Sequence, residues 1–163
     1  MKDSVLKFFL IFSIIFSNAQ YREWEDLSTF KINTEKPHSF YIPKDINGDS
    51  VTKSLNGTWS FKLFKNDELV PKEFYKIDFN KNDWQDIPVP SNWQFHTDDF
   101  PLYTNIVYPY EMNPPFMPKE YNPIGLYHRE FSIDENWNDK QIFIHFGAVK
   151  SAFYLWINGN FVG

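Results

Sequence analysis

Two short runs hold the side chains best suited to chemistry. They are Pro90-Ser91-Asn92-Trp93-Gln94 and, nine residues further on, Tyr103-Thr104-Asn105-Ile106-Val107-Tyr108-Pro109. Together they bring aromatic rings, carboxamides and proline-fixed turns into one stretch of chain. Rings pack on the C–H faces of a sugar, and a carboxamide offers one acceptor and two donors to vicinal hydroxyls. A neutral polar ligand such as a sugar therefore suits this mixture. Asn105 stands out, flanked by Tyr103 and Tyr108 in a loop stiffened by Pro101 and Pro109. Taken alone, it reads first as an asparagine that satisfies loop backbone groups. Trp93 is either a platform for a sugar ring or a core indole, and the core is the better reading.

Other chemistries find less support. Ordinary glycoside hydrolysis needs two carboxyl groups flanking the scissile bond. The chain has 21 Asp and Glu, yet none stands in a recognisable catalytic setting. Asp98, Asp99, Glu111 and Glu120 fall in the loop region and could face a pocket; each reads first as a solvated loop charge. His38, His96, His128 and His145 show no metal-ligand spacing. No Gly-x-Ser-x-Gly run and no phosphate-cradling glycine loop occur. Without cysteine, neither a disulfide framework nor a thiolate metal site can form. The net charge is −5 and no Lys/Arg cluster stands out, so nucleic acid and an anionic membrane surface are disfavoured partners.

The elements that must position these residues read as all-β. Residues 1–19 look like a signal peptide: Lys2 and Lys7, an apolar run from Phe8 to Phe16, then Ser17-Asn18-Ala19 before a cleavage point. The apolar run is too short to span a bilayer as a helix. Residues 20–53 read as an extended N-terminal arm, turn-rich at Pro37, Pro43 and Asn47-Gly48 and pinned by Tyr21, Trp24 and Phe30. A strand is expected from Thr58 to Phe64, where Trp59, Phe61 and Leu63 alternate with Ser60 and Lys62. Asp83-Trp84 should close a loop on a buried indole. Ile87-Pro88-Val89-Pro90 suits only an edge strand, because proline cannot donate to a ladder. Residues 96–125 form a long proline-rich loop, with a cis peptide expected at its Pro-Pro step.

Three further strands are expected over 125–133, 141–146 and 152–157. The last turns at Asn158-Gly159 into Asn160-Phe161-Val162, a strong hairpin signal. A jelly-roll sandwich has about eight strands, and fewer can be found here. The expectation is a jelly-roll β-sandwich incomplete at the C-terminus, with an exposed edge and apolar face and poor solubility.

Several ordered segments carry a resemblance. Ser54-Leu55-Asn56-Gly57-Thr58-Trp59-Ser60-Phe61 is similar to a first-strand pattern, and Val89-Pro90-Ser91-Asn92-Trp93-Gln94 with His96 to a V-P-S-N-W-Q-x-H motif. The Tyr103–Pro109 run, Asn113-Pro114-Pro115, Pro123-Ile124-Gly125-Leu126-Tyr127 and the stretch from Gly147 to Gly159 follow in order. From Trp24 to Gly163 the chain resembles the N-terminal sugar-binding domain of family 2 β-galactosidases of the large bacterial type.

The resemblance implies a jelly-roll domain over 54–163 packed against a catalytic (β/α)₈ barrel. It implies that Asn105 contacts galactose hydroxyls and that Ile106 lines the same subsite, with Tyr103 and Trp93 facing the sugar or supporting the loop. The acid/base and nucleophile glutamates, a sodium-binding aspartate and the magnesium ligands of the family match nothing in this chain. No catalytic or metal residue is therefore assigned to it, and the segment is expected to be inactive alone. The implied whole is a secreted or periplasmic, homo-oligomeric, retaining β-galactosidase using magnesium and sodium. A stand-alone carbohydrate-binding module, or a scaffold for a separately encoded barrel, are the alternatives.

Overall fold

The computed structural model describes residues 23–39, 41–101 and 110–163. Its centre is a three-stranded antiparallel sheet of β1 (Gly57–Phe64), β2 (Gln85–Val89) and β3 (Ile124–His128), ordered β2-β1-β3. A second pair, β4 (Trp156–Ile157) and β5 (Asn160–Phe161), forms a hairpin. The helical elements among the described residues are 3₁₀ turns of three residues. The architecture is all-β, as the alternation predicts.

β1 forms where the sequence places it. Asn56-Gly57 introduces it, with Gly57 at φ +128°, a value that disfavours any side chain. The Trp59 indole donates to the Leu55 carbonyl at 2.8 Å, which locks the lead-in. The Arg129 guanidinium lies over the Trp59 ring and donates to the Thr58 carbonyl at 2.6 Å. It fills the space beside Gly57, where an added Cβ would stand 3.2 Å from it. The S-L-N-G-x-W pattern is thus a device for starting a strand.

Pairing then sorts side chains by face. Trp59 opposes Ile87 across one partner, and Phe61 opposes Tyr127 across the other. The Phe61 and Tyr127 rings lie 4.7 Å apart, an aromatic cross-strand pair of the kind that stabilises sheets. Phe61 and Ile87 are fully buried, and Leu126 is buried on the opposite face. These three are the only buried apolar side chains among the described residues. β2 lies at an edge of its sheet, where Pro88 needs no donor.

Asn158 and Gly159 take φ of +50° and +80°, the pair that a type I′ turn requires. The Leu155 amide donates to the Gly163 carbonyl at 2.7 Å and the Val162 amide to the Leu155 carbonyl at 2.8 Å. Pro114–Pro115 is cis, as expected, and so is Val89–Pro90.

The structure corrects several expectations. The strand expected over 125–133 stops at His128, whose partner Ser60 is the last residue of β1 paired on that side; beyond it the Arg129 side chain, not a β3 amide, donates to the Thr58 carbonyl of β1. Residues 141–146 form no strand; Phe146 packs instead on Phe153 at 4.7 Å, with no ladder partner alongside. The strand expected over 152–157 keeps only Trp156–Ile157. Trp84 is half-buried against Phe79. Phe131, Ile133, Ile142, Phe143, Phe146 and Phe153 are exposed.

The arm lies over the domain without regular strands, apart from one bridge between Lys44 and Ser50. Trp24 meets the Tyr154 ring edge-on at 5.8 Å, and the Tyr154 hydroxyl donates to Glu23 at 3.0 Å. Asn33 donates to the Val162 carbonyl at 2.9 Å. Lys53 donates to the Ser132 carbonyl at 2.6 Å. Phe30 does not pin the arm: it is 84% exposed, with Lys31 over its ring. Tyr21 and the apolar leader lie outside the described residues.

Candidate functional site

β2 delivers the chain into the Pro90–Gln94 motif. Pro90 ends the strand, and Trp93–Phe95 form a single 3₁₀ turn closed by the Phe95 and His96 amides on the Asn92 and Trp93 carbonyls. Ser91 Oγ and His96 Nε2 share a hydrogen bond of 2.8 Å across the turn. Gln85 Nε2 donates to the His96 carbonyl at 2.9 Å and ties the turn back to β2. The V-P-S-N-W-Q-x-H pattern is therefore a folded unit built from its own side chains.

Trp93 stacks on the buried Phe61 at 6.1 Å with the ring planes 29° apart. One face of the indole is thereby taken up by the core. Gly125 of β3 is what lets it come so close. A Cβ there would stand 2.8 Å from Phe61 and 2.9 Å from the Trp93 ring.

The indole Nε1–H donates to Asp99 Oδ2 at 2.6 Å, and Gln94 Nε2 reaches the same oxygen at 3.4 Å. Tyr121 donates its hydroxyl proton to the other oxygen, Oδ1. The Asp99 amide in turn donates to Thr97 Oγ1 at 3.2 Å. Asp99 is thus not a solvated loop charge but the hub of a polar cluster. Asp98, Glu111 and Glu120 are exposed on the surface. Tyr121 carries no sequence signal, because its partner lies 22 residues away across the proline-rich loop.

Desolvation, reinforced by the Asp99 carboxylate, pushes the Tyr121 phenol up to about 12. Tyr154 is also raised, by desolvation and then by Glu23. A phenol held protonated in the fold contributes stability that is complete below about pH 10 and is lost as pH rises toward 12. The unfolding free energy should therefore stay level to about pH 10 and then fall. Tyr121→Phe should flatten part of that fall in alkaline denaturant melts. A Tyr121 that ionises with the exposed tyrosines in an ultraviolet titration would contradict the assignment.

Tyr103, Asn105 and Ile106 lie outside the described residues, between the exposed Pro101 and the half-buried Tyr110. On the C-terminal side of that segment, Tyr110 to Pro118 line a depression of about 350 Å³. A neighbouring one of about 560 Å³ opens where Glu25 of the arm accepts from the Met117 amide at 3.3 Å. Among the described residues, no group of three His, Asp or Glu could hold a metal ion, and no helix is long and apolar enough to cross a membrane.

Residues 52–163 match the sugar binding domain of glycosyl hydrolases family 2. Curated relatives named β-galactosidase align along most of the chain. The protein of Priestia megaterium is 39% identical over 157 residues, covering 88% of this chain and 15% of its own length. Those of Pseudoalteromonas haloplanktis and Vibrio vulnificus are 44% and 43% identical, covering 87% and 88% of this chain and 14% of their own lengths. The chain thus spans about 15% of the length of the relatives it matches. The family match and the antiparallel sheets together carry the β-sandwich class read from the sequence.

Proposed function

Because the chain belongs to glycosyl hydrolases family 2, through its sugar binding domain, we propose that it is the sugar-contacting N-terminal part of a β-galactosidase. The observation that carries this reading is the match over 52–163, which includes the whole Tyr103–Pro109 run. In this role the Asn105 carboxamide hydrogen-bonds vicinal hydroxyls of a terminal β-galactoside and Ile106 lines the same subsite. The Trp93 turn and β1–β3 are the scaffold behind them.

The whole enzyme would hydrolyse the galactoside with retention. That chemistry needs a carboxyl pair about 5–5.5 Å apart, which this reading assigns to a catalytic barrel outside the segment. The segment alone then binds sugar weakly and turns over none. The magnesium and sodium of the whole enzyme are not assigned to residues of this segment, and no step proposed for it uses them. The basic-apolar-small pattern of residues 1–19 fits export to the periplasm or medium, and the whole enzyme would be a homo-oligomer.

Nuclear magnetic resonance of the chain titrated with galactose tests the sugar contact. Galactose should shift amides of residues 103–108, and Asn105→Ala should weaken that response at least about tenfold, the loss of one well-placed polar contact. An Asn105→Ala variant that responds as the wild type does would remove Asn105 from the subsite. Turnover of a nitrophenyl β-galactoside by the chain alone would overturn the claim that the segment is inactive.

A further inference from the structure

The depression of about 560 Å³ beside the proline-rich loop is lined by side chains that the fold leaves unused. Glu25 of the arm forms one wall, and Asn113, Phe116 and Lys119 of the loop form the other. Asn113, Phe116, Met117 and Pro118 also line the neighbouring depression of about 350 Å³, so the two make one groove. Both volumes fall in the range of small-molecule sites. The Phe116 ring is 58% exposed. The Asn113 carboxamide and the Lys119 ammonium have no partner among the described residues.

The walls are nevertheless held in place through their backbone. The Met117 amide donates to Glu25 Oε1 at 3.3 Å, and the Phe116 amide to the Asn113 carbonyl at 2.9 Å. Asn66 Nδ2 donates to the Lys119 carbonyl at 3.0 Å, while its Oδ1 accepts from the Leu69 amide at 3.2 Å. Glu25 ends the 3₁₀ turn whose Glu23 and Trp24 meet Tyr154. Walls formed in advance spare a ligand the cost of ordering them.

We infer that this groove is a saccharide-binding site, separate from the Tyr103–Pro109 run and using no residue of it. Its chemistry selects the ligand class. An exposed ring takes the C–H face of a pyranose. Around it stand a carboxamide that donates and accepts, a carboxylate that accepts and an ammonium that donates. Charges of both signs disfavour an anion or a cation, and the polar wall disfavours a purely apolar ligand. Glu25 is the one carboxylate lining the larger depression, so the site binds a sugar without hydrolysing it, which takes two. The sugar-binding-domain match over 52–163 includes Asn113 to Lys119 but not Glu25, which the arm adds.

Nuclear magnetic resonance of the full chain titrated with lactose tests this site. The amides of Glu25, Asn113, Phe116, Met117 and Lys119 should shift with a Kd on the order of millimolar. The shifts should be the same in Asn105→Ala as in the wild type. Phe116→Ala should weaken binding at these amides about tenfold, and Phe116→Tyr, which keeps a ring, should retain it. Asn113→Ala, which alters only the polar wall, should weaken it about threefold and keeps the test independent of the ring. Unmoved amides over 57–64 show that each variant is folded. Three results would each overturn the inference: no shift at these amides, equal shifts with glycerol, or shifts that vanish in Asn105→Ala and persist in Phe116→Ala. Loss of the response at 103–108 alone would remove the Asn105 subsite and leave this one standing.

Discussion

Phe61→Ala should lower the unfolding free energy by about 3–5 kcal/mol, the usual loss for a buried phenylalanine truncated in a core. Phe61 has no exposed surface and sits in the middle strand of the sheet. Its ring touches Tyr127 across β3 and carries the Trp93 stack. Truncation removes transferred apolar area and leaves a cavity that two aromatic neighbours, each held elsewhere, cannot collapse into. Domains are typically stable by only about 5–15 kcal/mol, and this one has only Phe61, Ile87 and Leu126 buried among its described residues. The change should therefore leave the variant largely unfolded under mild denaturant. Urea melts followed by tryptophan fluorescence would measure it. Leu69→Ala, at an exposed position, should stay within about 0.5 kcal/mol of wild type and serves as the control. A Phe61 loss below about 1 kcal/mol would mean that the sheet does not pack around this ring.

The second large effect comes from adding a single carbon. Gly125→Ala should cost about 1–3 kcal/mol by overpacking. The new Cβ would sit 2.8 Å from Phe61 and 2.9 Å from Trp93. Neither ring can retreat freely. Phe61 is enclosed, and Trp93 is held by its bond to Asp99. The indole must tilt, which stretches that bond and moves the turn from Asn92 to His96. The prediction is specific: thermal melts should show lower stability, and the downfield indole N–H resonance of Trp93 should move with it. A Gly125→Ala protein as stable as wild type, with that resonance unmoved, would show that the stack is looser than the structure has it.

These two positions differ in how far the sequence disclosed them. Phe61 is legible, because alternation over Thr58–Phe64 puts it on the apolar face and a preceding Asn-Gly marks the strand start. The edge character of β2 follows from Pro88, and the hairpin at Asn158-Gly159 from its φ requirement. All three rest on local physics. The expected strand at 141–146 fails for the complementary reason. Its alternation assigns faces correctly for a strand, but a ladder also needs a neighbour in register, which no local pattern supplies. Gly125 is conspicuous as a residue, but its reason is two rings from other elements. Asp99 and Tyr121 are less legible still. Each looks like an ordinary loop residue until the chain brings them together across 22 positions. Asn105, Ile106 and Tyr103 rest on motif resemblance, since their placement lies outside the described residues.

The contacts of the arm have a temporal side. Glu23 finds its partner at Tyr154, 131 residues later, and Asn33 finds Val162, 129 residues later. During synthesis at about 5–20 residues per second, the arm waits roughly 7–26 s for that partner to be made. The three-stranded sheet, complete once His128 has emerged, can form within that interval. The order of translation thus sets an order of assembly, in which Glu25 can meet the Met117 amide before Glu23 and Trp24 meet Tyr154. Until then, Trp24 is available to chaperones and proteases acting on the nascent chain.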